Sequence, residues 1–236
     1  MLSYNKQRGQ ITTKIMAKRV TKGNWVYEYE SVPKYRNRYD YELTDVRYIL
    51  GEMFNTEIKK TLICIGINPS TAMPDNLDQT LIRVQKYAKQ SGEYGAWYML
   101  NVYPQRATNP QEMHKDMTFD KDIHAQNIKS VIALLDTLSD VDVWCAWGSV
   151  IDDNKRKFLS DLLYGNNDQE ITGLISLFDA SHTTFKAYGV TKKGYPSHPV
   201  VMPKDAVLKD ISSIPELQPL SERIKESIKQ NSNNQT

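Results

Sequence analysis

The stretch LICIGINPSTA, residues 62–72, decides how the chain is read. Its first half is an unbroken apolar run, too short for a core helix and suited to a strand buried on both faces. Its second half stops that strand on Gly66, Asn68 and Pro69, then turns polar at Ser70 and Thr71. A strand covered on both faces belongs to a parallel sheet flanked by helices. In such sheets, ligands bind beyond the carboxyl ends of the strands.

Outward from that stretch the pattern repeats. Residues 78–91 carry Leu81, Val84 and Ala88 at helical spacing, with Asp78 as a ready N-cap. GAWYMLNVY (95–103) reads as a second buried strand, 122–139 as a helix and VDVWCAWG (141–148) as a third strand. A helix over roughly 151–164, a weaker strand TTFKAY (183–188) and a closing helix near 215–229 follow. Before residue 61, NWVYEYES (24–31) alternates like a half-exposed strand, RNRYDYELT reads as its hairpin partner or an extended lead-in, and 44–54 reads as a short helix. The prediction is α/β: a three-layer α/β/α sandwich with a central, mainly parallel four-stranded sheet and an N-terminal β extension. A basic, flexible arm over 1–20, one domain over 21–230 (motif core 61–203) and a disordered tail over 231–236 complete the expected organisation.

Composition bounds the function. The 236 residues carry a net charge of +2 and 40% apolar residues, so a sizeable core is expected and a strongly basic nucleic-acid footprint is not. No window is long and apolar enough to span a membrane, and the N-terminus lacks a signal peptide's apolar middle, so the expected location is cytoplasmic. Cys64 and Cys145 sit in apolar runs and are expected to be reduced core residues. The four histidines show no metal-ligand spacing, and neither a metal nor a cofactor is expected. Walker, dinucleotide and nucleophile-elbow motifs are absent from the sequence.

The chemistry sits at the four strand exits. At the first, Gly66 supplies backbone freedom and Pro69 stiffens Asn68, whose amide offers an acceptor and donors; the plain alternative is an Asn-Pro turn. At the second, Asn101 lies late in a buried strand, where its amide needs a neighbour or a ligand, and Tyr103 and Arg106 follow. At the third, Trp147 and Gly148 read as packing with a close backbone approach. At the fourth, Lys192 and Lys193 precede Gly194, and Pro196 and Pro199 bracket His198, a candidate to stabilise a developing anion or a turn histidine bonded to backbone.

Two resemblances rest on these residues. YRNRYDYEL, GINPSTA, DQTLIR, LNVYPQRAT, Asp122 with Asn127, AWG and TKKGYPSHP occur in the order of the DUF1643 family, which the chain resembles from about residue 36 to 202. That family's pattern reads Asp-Pro-Thr where this chain has Asp78-Gln79-Thr80. More distantly, GINP, MLN, the Trp-Gly after the third strand and SHP resemble the uracil-DNA glycosylase superfamily. That resemblance implies a uracil-DNA glycosylase-like fold, a water held at Asn68, a base edge read by Asn101 and a leaving base steadied by His198. It leaves Val200, Val201 and Met202 as the only candidates to wedge into DNA.

Three functional readings follow. The first is N-glycosidic bond hydrolysis on a nucleobase, with Asn68 and His198 catalytic and with Gly66, Ser70, Asp78, Thr80, Arg83, Asn101, Tyr103, Arg106, Trp147, Gly148, Lys192 and Lys193 binding substrate. The second is a non-catalytic module for nucleic acid or nucleotide, with Arg106, Lys192 and Lys193 on phosphate. The third, a small-molecule hydrolase or transferase, draws on Asp78, Arg83 and Asp122.

Overall fold

A computed structural model describes the backbone of residues 4–5, 10–11, 18–37 and 40–234 and the side chains of 20–30, 45–109 and 111–230. β6 (Lys60–Gly66) is the centre of the sheet. It pairs in parallel with β7 (Ala96–Asn101) on one side and with β8 (Asp140–Cys145) on the other, and β8 pairs in parallel with β9 (Thr183–Ala187). Leu62 and Cys64 pack in one apolar cluster, Ile63 and Ile65 in another, as the alternation of a strand demands. α1 (Gln79–Ser91) covers the first face through Leu81, Val84 and Ala88. α2 (Lys121–Leu135), α3 (Phe158–Tyr164) and α4 (Gln218–Asn234) cover the second through residues such as Val131, Leu159 and Ile224.

The chain leaves β6 toward β7, then crosses back over β6 to reach β8. This reversal of direction opens a crevice at the carboxyl ends of β6 and β8.

The sheet is eight-stranded, not four-stranded. β3 (Lys18–Lys22), β4 (Trp25–Asn37) and β5 (Asp40–Met53) form an antiparallel run that joins the free edge of β7, and β10 (Lys209–Asp210) lies antiparallel against β9. The four expected parallel strands are its middle. The expected N-terminal extension is thus part of the same sheet, while β1 (Tyr4–Asn5) and β2 (Gln10–Ile11) form a separate antiparallel pair.

The helix expected over 44–54 is the second half of β5. Val46, Tyr48, Ile49 and Leu50 are all buried, so the segment lacks the alternation that marks a one-sided strand. The single helix expected over 151–164 is a 3-10 turn (Gly148–Asp152) followed by the shorter α3. The backbone of α4 runs to Asn234, into the stretch expected to be a tail; most of the expected arm lies outside the described residues.

The junction of the antiparallel and parallel halves is tight. Gly51 of β5 faces Tyr98 of β7, and a Cβ there would lie 2.2 Å from Tyr98 Cδ1 and 2.4 Å from the Trp97 carbonyl oxygen. Gly51→Ala is therefore expected to destabilise by about 1–3 kcal/mol in urea titration. An unchanged midpoint would show that the junction has slack.

Candidate functional site

The polar segments after β6, β7, β8 and β9 converge. They line one cavity of about 620 Å³ at the carboxyl rim of the sheet, together with the start of α1. Main-chain bonds stitch the exits to one another. Tyr103 N–H donates to the Ile67 carbonyl (2.9 Å), Ala107 N–H to Pro69 (2.9 Å), Ala146 N–H to Ile65 (3.0 Å) and Gly148 N–H to Pro196 (3.1 Å). Asn68, Asn101 and His198, far apart in sequence, all line this cavity.

Asn101 ends β7 directly opposite Gly66 at the last rung of the parallel ladder. It is fully buried, and neither its side-chain nitrogen nor its oxygen has a hydrogen-bond partner among the described residues. Its main-chain carbonyl is held by the Asn127 amide at 3.0 Å, which fixes the strand end while leaving the Asn101 side chain to whatever enters. Gly66 makes room: a Cβ there would stand 2.6 Å from Met99 Cε and 3.4 Å from Asn101 Oδ1. Its φ is not among the positive values, so space rather than the expected backbone freedom explains this glycine. Gly148 reverses its expectation the other way, with φ +61° and no heavy atom within 4 Å of where a Cβ would stand.

Asn68 presents one defined group. Its Nδ2 donates to the Ala107 carbonyl at 2.7 Å and the Pro69 carbonyl at 3.2 Å. Those two acceptors fix the amide orientation and leave Oδ1 as an acceptor with no partner among the described residues.

Ser70 donates its hydroxyl to Asp78 Oδ2, and Asp78 Oδ1 accepts from Leu81 N–H at 2.9 Å, capping α1 as the sequence predicts. Both carboxylate oxygens are thereby occupied, and Thr80 lines the cavity in the first turn behind them. His198 caps the 3-10 turn Pro199–Val201, with Nδ1 accepting from Val200 N–H at 3.4 Å. That bond leaves the proton on Nε2. Burial pushes the imidazole below its ordinary value of 6.5, opposed by the charge of Asp78, so a neutral ring is present at pH 7. Trp147 adds a buried indole to the wall, and its Nε1 has no partner among the described residues.

Other expected site residues lie elsewhere. Tyr103 does not line the cavity. Its hydroxyl meets His114 Nδ1 at 2.6 Å and its ring packs on Phe119 and Phe158, so it is core rather than a stacking platform. Arg106 spends its donors on the Ser70 and Thr71 carbonyls, and Arg83 spends Nη1 on the Met202 carbonyl at 2.8 Å. Lys192 and Lys193 are exposed on a turn beside the cavity-lining Thr191, without lining the cavity themselves. Met202 is buried, while Val200 (42% exposed) and Val201 (66% exposed) remain at the rim.

Several lining residues were missed in the sequence, among them Gln79, Thr108, Ser149 and Thr191 and one charged side chain. Arg47 of β5 is 2% exposed and lines the wall. Its only legible signal is a lone charge in the otherwise apolar run VRYIL, which the helical reading disguised. Among the described residues no group of three His, Cys, Asp or Glu side chains can hold a metal ion, and no helix is long and apolar enough to cross a membrane. Cys64 and Cys145 are buried free thiols on neighbouring strands.

Residues 47–200 match the family model described as "Protein of unknown function (DUF1643)", about two thirds of the chain, and the chain belongs to that family. No curated protein and no solved structure matches it.

Asn101→Leu is expected to raise the midpoint of thermal unfolding, by about 2–4 °C for each kcal/mol recovered when the unpaired amide is removed. A lower midpoint would mean that the amide is satisfied in the fold. Because His198 holds fewer protons folded than unfolded, its contribution to stability is complete above about pH 6.5 and is lost as pH falls through its depressed midpoint. Its imidazole resonances should titrate below 6.5 in NMR; a midpoint above that value contradicts the burial argument.

Proposed function

We propose that the cavity binds a nucleobase and that the protein hydrolyses an N-glycosidic bond, with a uracil-DNA glycosylase-like arrangement of strand exits. The observation that carries this reading is Asn101: one donor and one acceptor, side by side, fully buried and unpartnered, in the same cavity as Asn68 and His198. A planar heterocycle with an adjacent carbonyl and ring N–H satisfies both atoms at once. Anything less leaves a buried polar group unpaired, at a cost of about 1–3 kcal/mol.

The remaining groups support the chemistry. Asn68 Oδ1 accepts from a water and aims its oxygen at the sugar carbon. The water oxygen bonds to that carbon as the carbon–nitrogen bond breaks. The bonding electron pair leaves with the base nitrogen, and the water's spare proton ends on the departed base or in solvent. The transition state carries positive charge on the sugar, so a weakly activated water suffices. His198 Nε2–H donates to the base as negative charge develops on it. Trp147 offers a π-face to the ring. Val200 and Val201 are exposed, and in this reading they would part a DNA strand.

A second reading has its own support. Both oxygens of Asp78, the one carboxylate lining the cavity among the described residues, are already engaged, so no general base is poised there. A module that holds a base or nucleotide without turning it over needs no such base. Lys192 and Lys193 beside the rim would then meet phosphate, with binding that weakens steeply as salt rises.

The test is base release from duplex and single-stranded DNA carrying deaminated, oxidised or alkylated bases, followed by mass spectrometry of the free base. The wild type is expected to release at least one of them. His198→Ala is expected to lower the rate about 100- to 1,000-fold, and Asn68→Ala and Asn101→Ala to abolish release while the fold persists. Binding of these DNAs without release assigns the non-catalytic reading. Neither binding nor release sinks both.

A further inference from the structure

Arg47 is the permanent cation of the cavity, and the site just described does not use it. Burial lowers its guanidinium to about 10 against the supporting charge of Asp78, so it remains protonated at pH 7. One donor is accounted for: Nη1 bonds the Ala72 carbonyl at 3.0 Å. Nε is buried with no partner, and Nη2 makes no bond to any described residue. The unused Nε and Nη2 donors form one edge of the planar fork, the edge that grips two oxygens of a carboxylate or phosphate side by side.

No group of a described residue fills that edge. Asp78 is near enough to act on Arg47 through space, but its oxygens are committed to Ser70 and to Leu81 N–H, and the two make no ion pair. A buried charge left unpaired is costly, and a neutral ligand would seal it further from water. A ligand that brings its own anion removes that cost. The first-turn residues Gln79 and Thr80 share the same cavity, and neither backbone N–H makes a hydrogen bond to a described group, so the positive end of a 13-residue helix reinforces the same preference.

We propose that Arg47 is a phosphate-binding residue of this cavity and that its ligand is a base carrying a phosphate group, held by the free edge of the guanidinium while Asn101 holds the base. This rests on the nucleobase reading for the identity of the ligand, but the anion site stands on Arg47 alone. The phosphate is a monoester of a free nucleotide or a diester of a DNA strand; the chemistry at Arg47 is the same.

Calorimetric titration and thermal shift of the full chain at low salt decide it. The probes are the four 2′-deoxynucleosides, their 5′-monophosphates, inorganic phosphate and a single-stranded oligonucleotide. In the wild type a monophosphate is expected to bind about tenfold or more tightly than its nucleoside, and inorganic phosphate to compete with it. Arg47→Lys, which keeps the charge and loses the fork, should erase most of that preference without changing nucleoside binding. Oligonucleotide binding that falls with Arg47→Lys points to a diester; loss confined to the monophosphates points to a free nucleotide. Equal wild-type affinity for nucleoside and monophosphate overturns the proposal, as does an unchanged preference in folded Arg47→Lys. If no nucleoside binds but inorganic phosphate does, and Arg47→Lys weakens it, the anion site holds and the nucleobase reading falls. If no probe binds, both fall.

Discussion

The last rung of the β6–β7 ladder, where Gly66 pairs with Asn101, is the constraint on which the rest of the rim depends. The parallel register sets the two residues side by side. The missing side chain at 66 leaves room beside the amide at 101, and the ladder carries on past the strand ends through Val102 N–H to the Gly66 carbonyl and Tyr103 N–H to that of Ile67. Both loops therefore leave the sheet already locked together. Asn68 extends the lock by gripping Ala107 across it. A buried amide with no partner is tolerated only because so much main chain around it is satisfied.

The opposite end of the sheet handles charge in the other way. Asp142, at the start of β8, is fully buried, yet it meets Lys186 at 2.6 Å, Tyr94 Oη at 2.8 Å and Lys60 at 3.4 Å. That cluster ties β6, β8 and β9 to the segment entering β7. All three contacts fall on Asp142 Oδ2, so the charge is paired although Oδ1 stays buried without a partner among the described residues. At the carboxyl ends, Asn101, Trp147 and Arg47 keep unspent donors or acceptors. The difference between the two ends is one of charge: Asp142 meets two lysines, whereas the Arg47 guanidinium has no carboxylate partner among the described residues.

Much of this was legible in the sequence, for a physical reason. Strands buried on both faces announce themselves as apolar runs, so β6, β7 and β8 lie within a few residues of the runs that predict them, and the polar residues at the exits of β6, β7 and β9 point to Asn68, Asn101 and His198. The Asp78 cap was legible because capping is local. What escaped was non-local. Nothing in VRYIL tells a fully buried antiparallel strand from a helix, so Arg47 was hidden along with its strand, and the sheet looked half as wide. Tyr103 and Arg106 looked like ligand groups because a loop residue's partners come from distant segments: His114 and Phe158 for one, the carbonyls of 70 and 71 for the other. The two glycines exchanged explanations because spacing in the sequence does not separate a need for room from a need for positive φ.

The segment 70–72 is gripped by its main chain. Arg106 holds the carbonyls of Ser70 and Thr71, and Arg47 holds that of Ala72. Carbonyls are the same whatever side chain they belong to. The path of this stretch is therefore insulated from substitution at the exposed Thr71, where chemistry can drift or be redesigned while the cavity wall keeps its course. The side chain at that position can change without rebuilding the frame on which the neighbouring Ser70 meets the cavity.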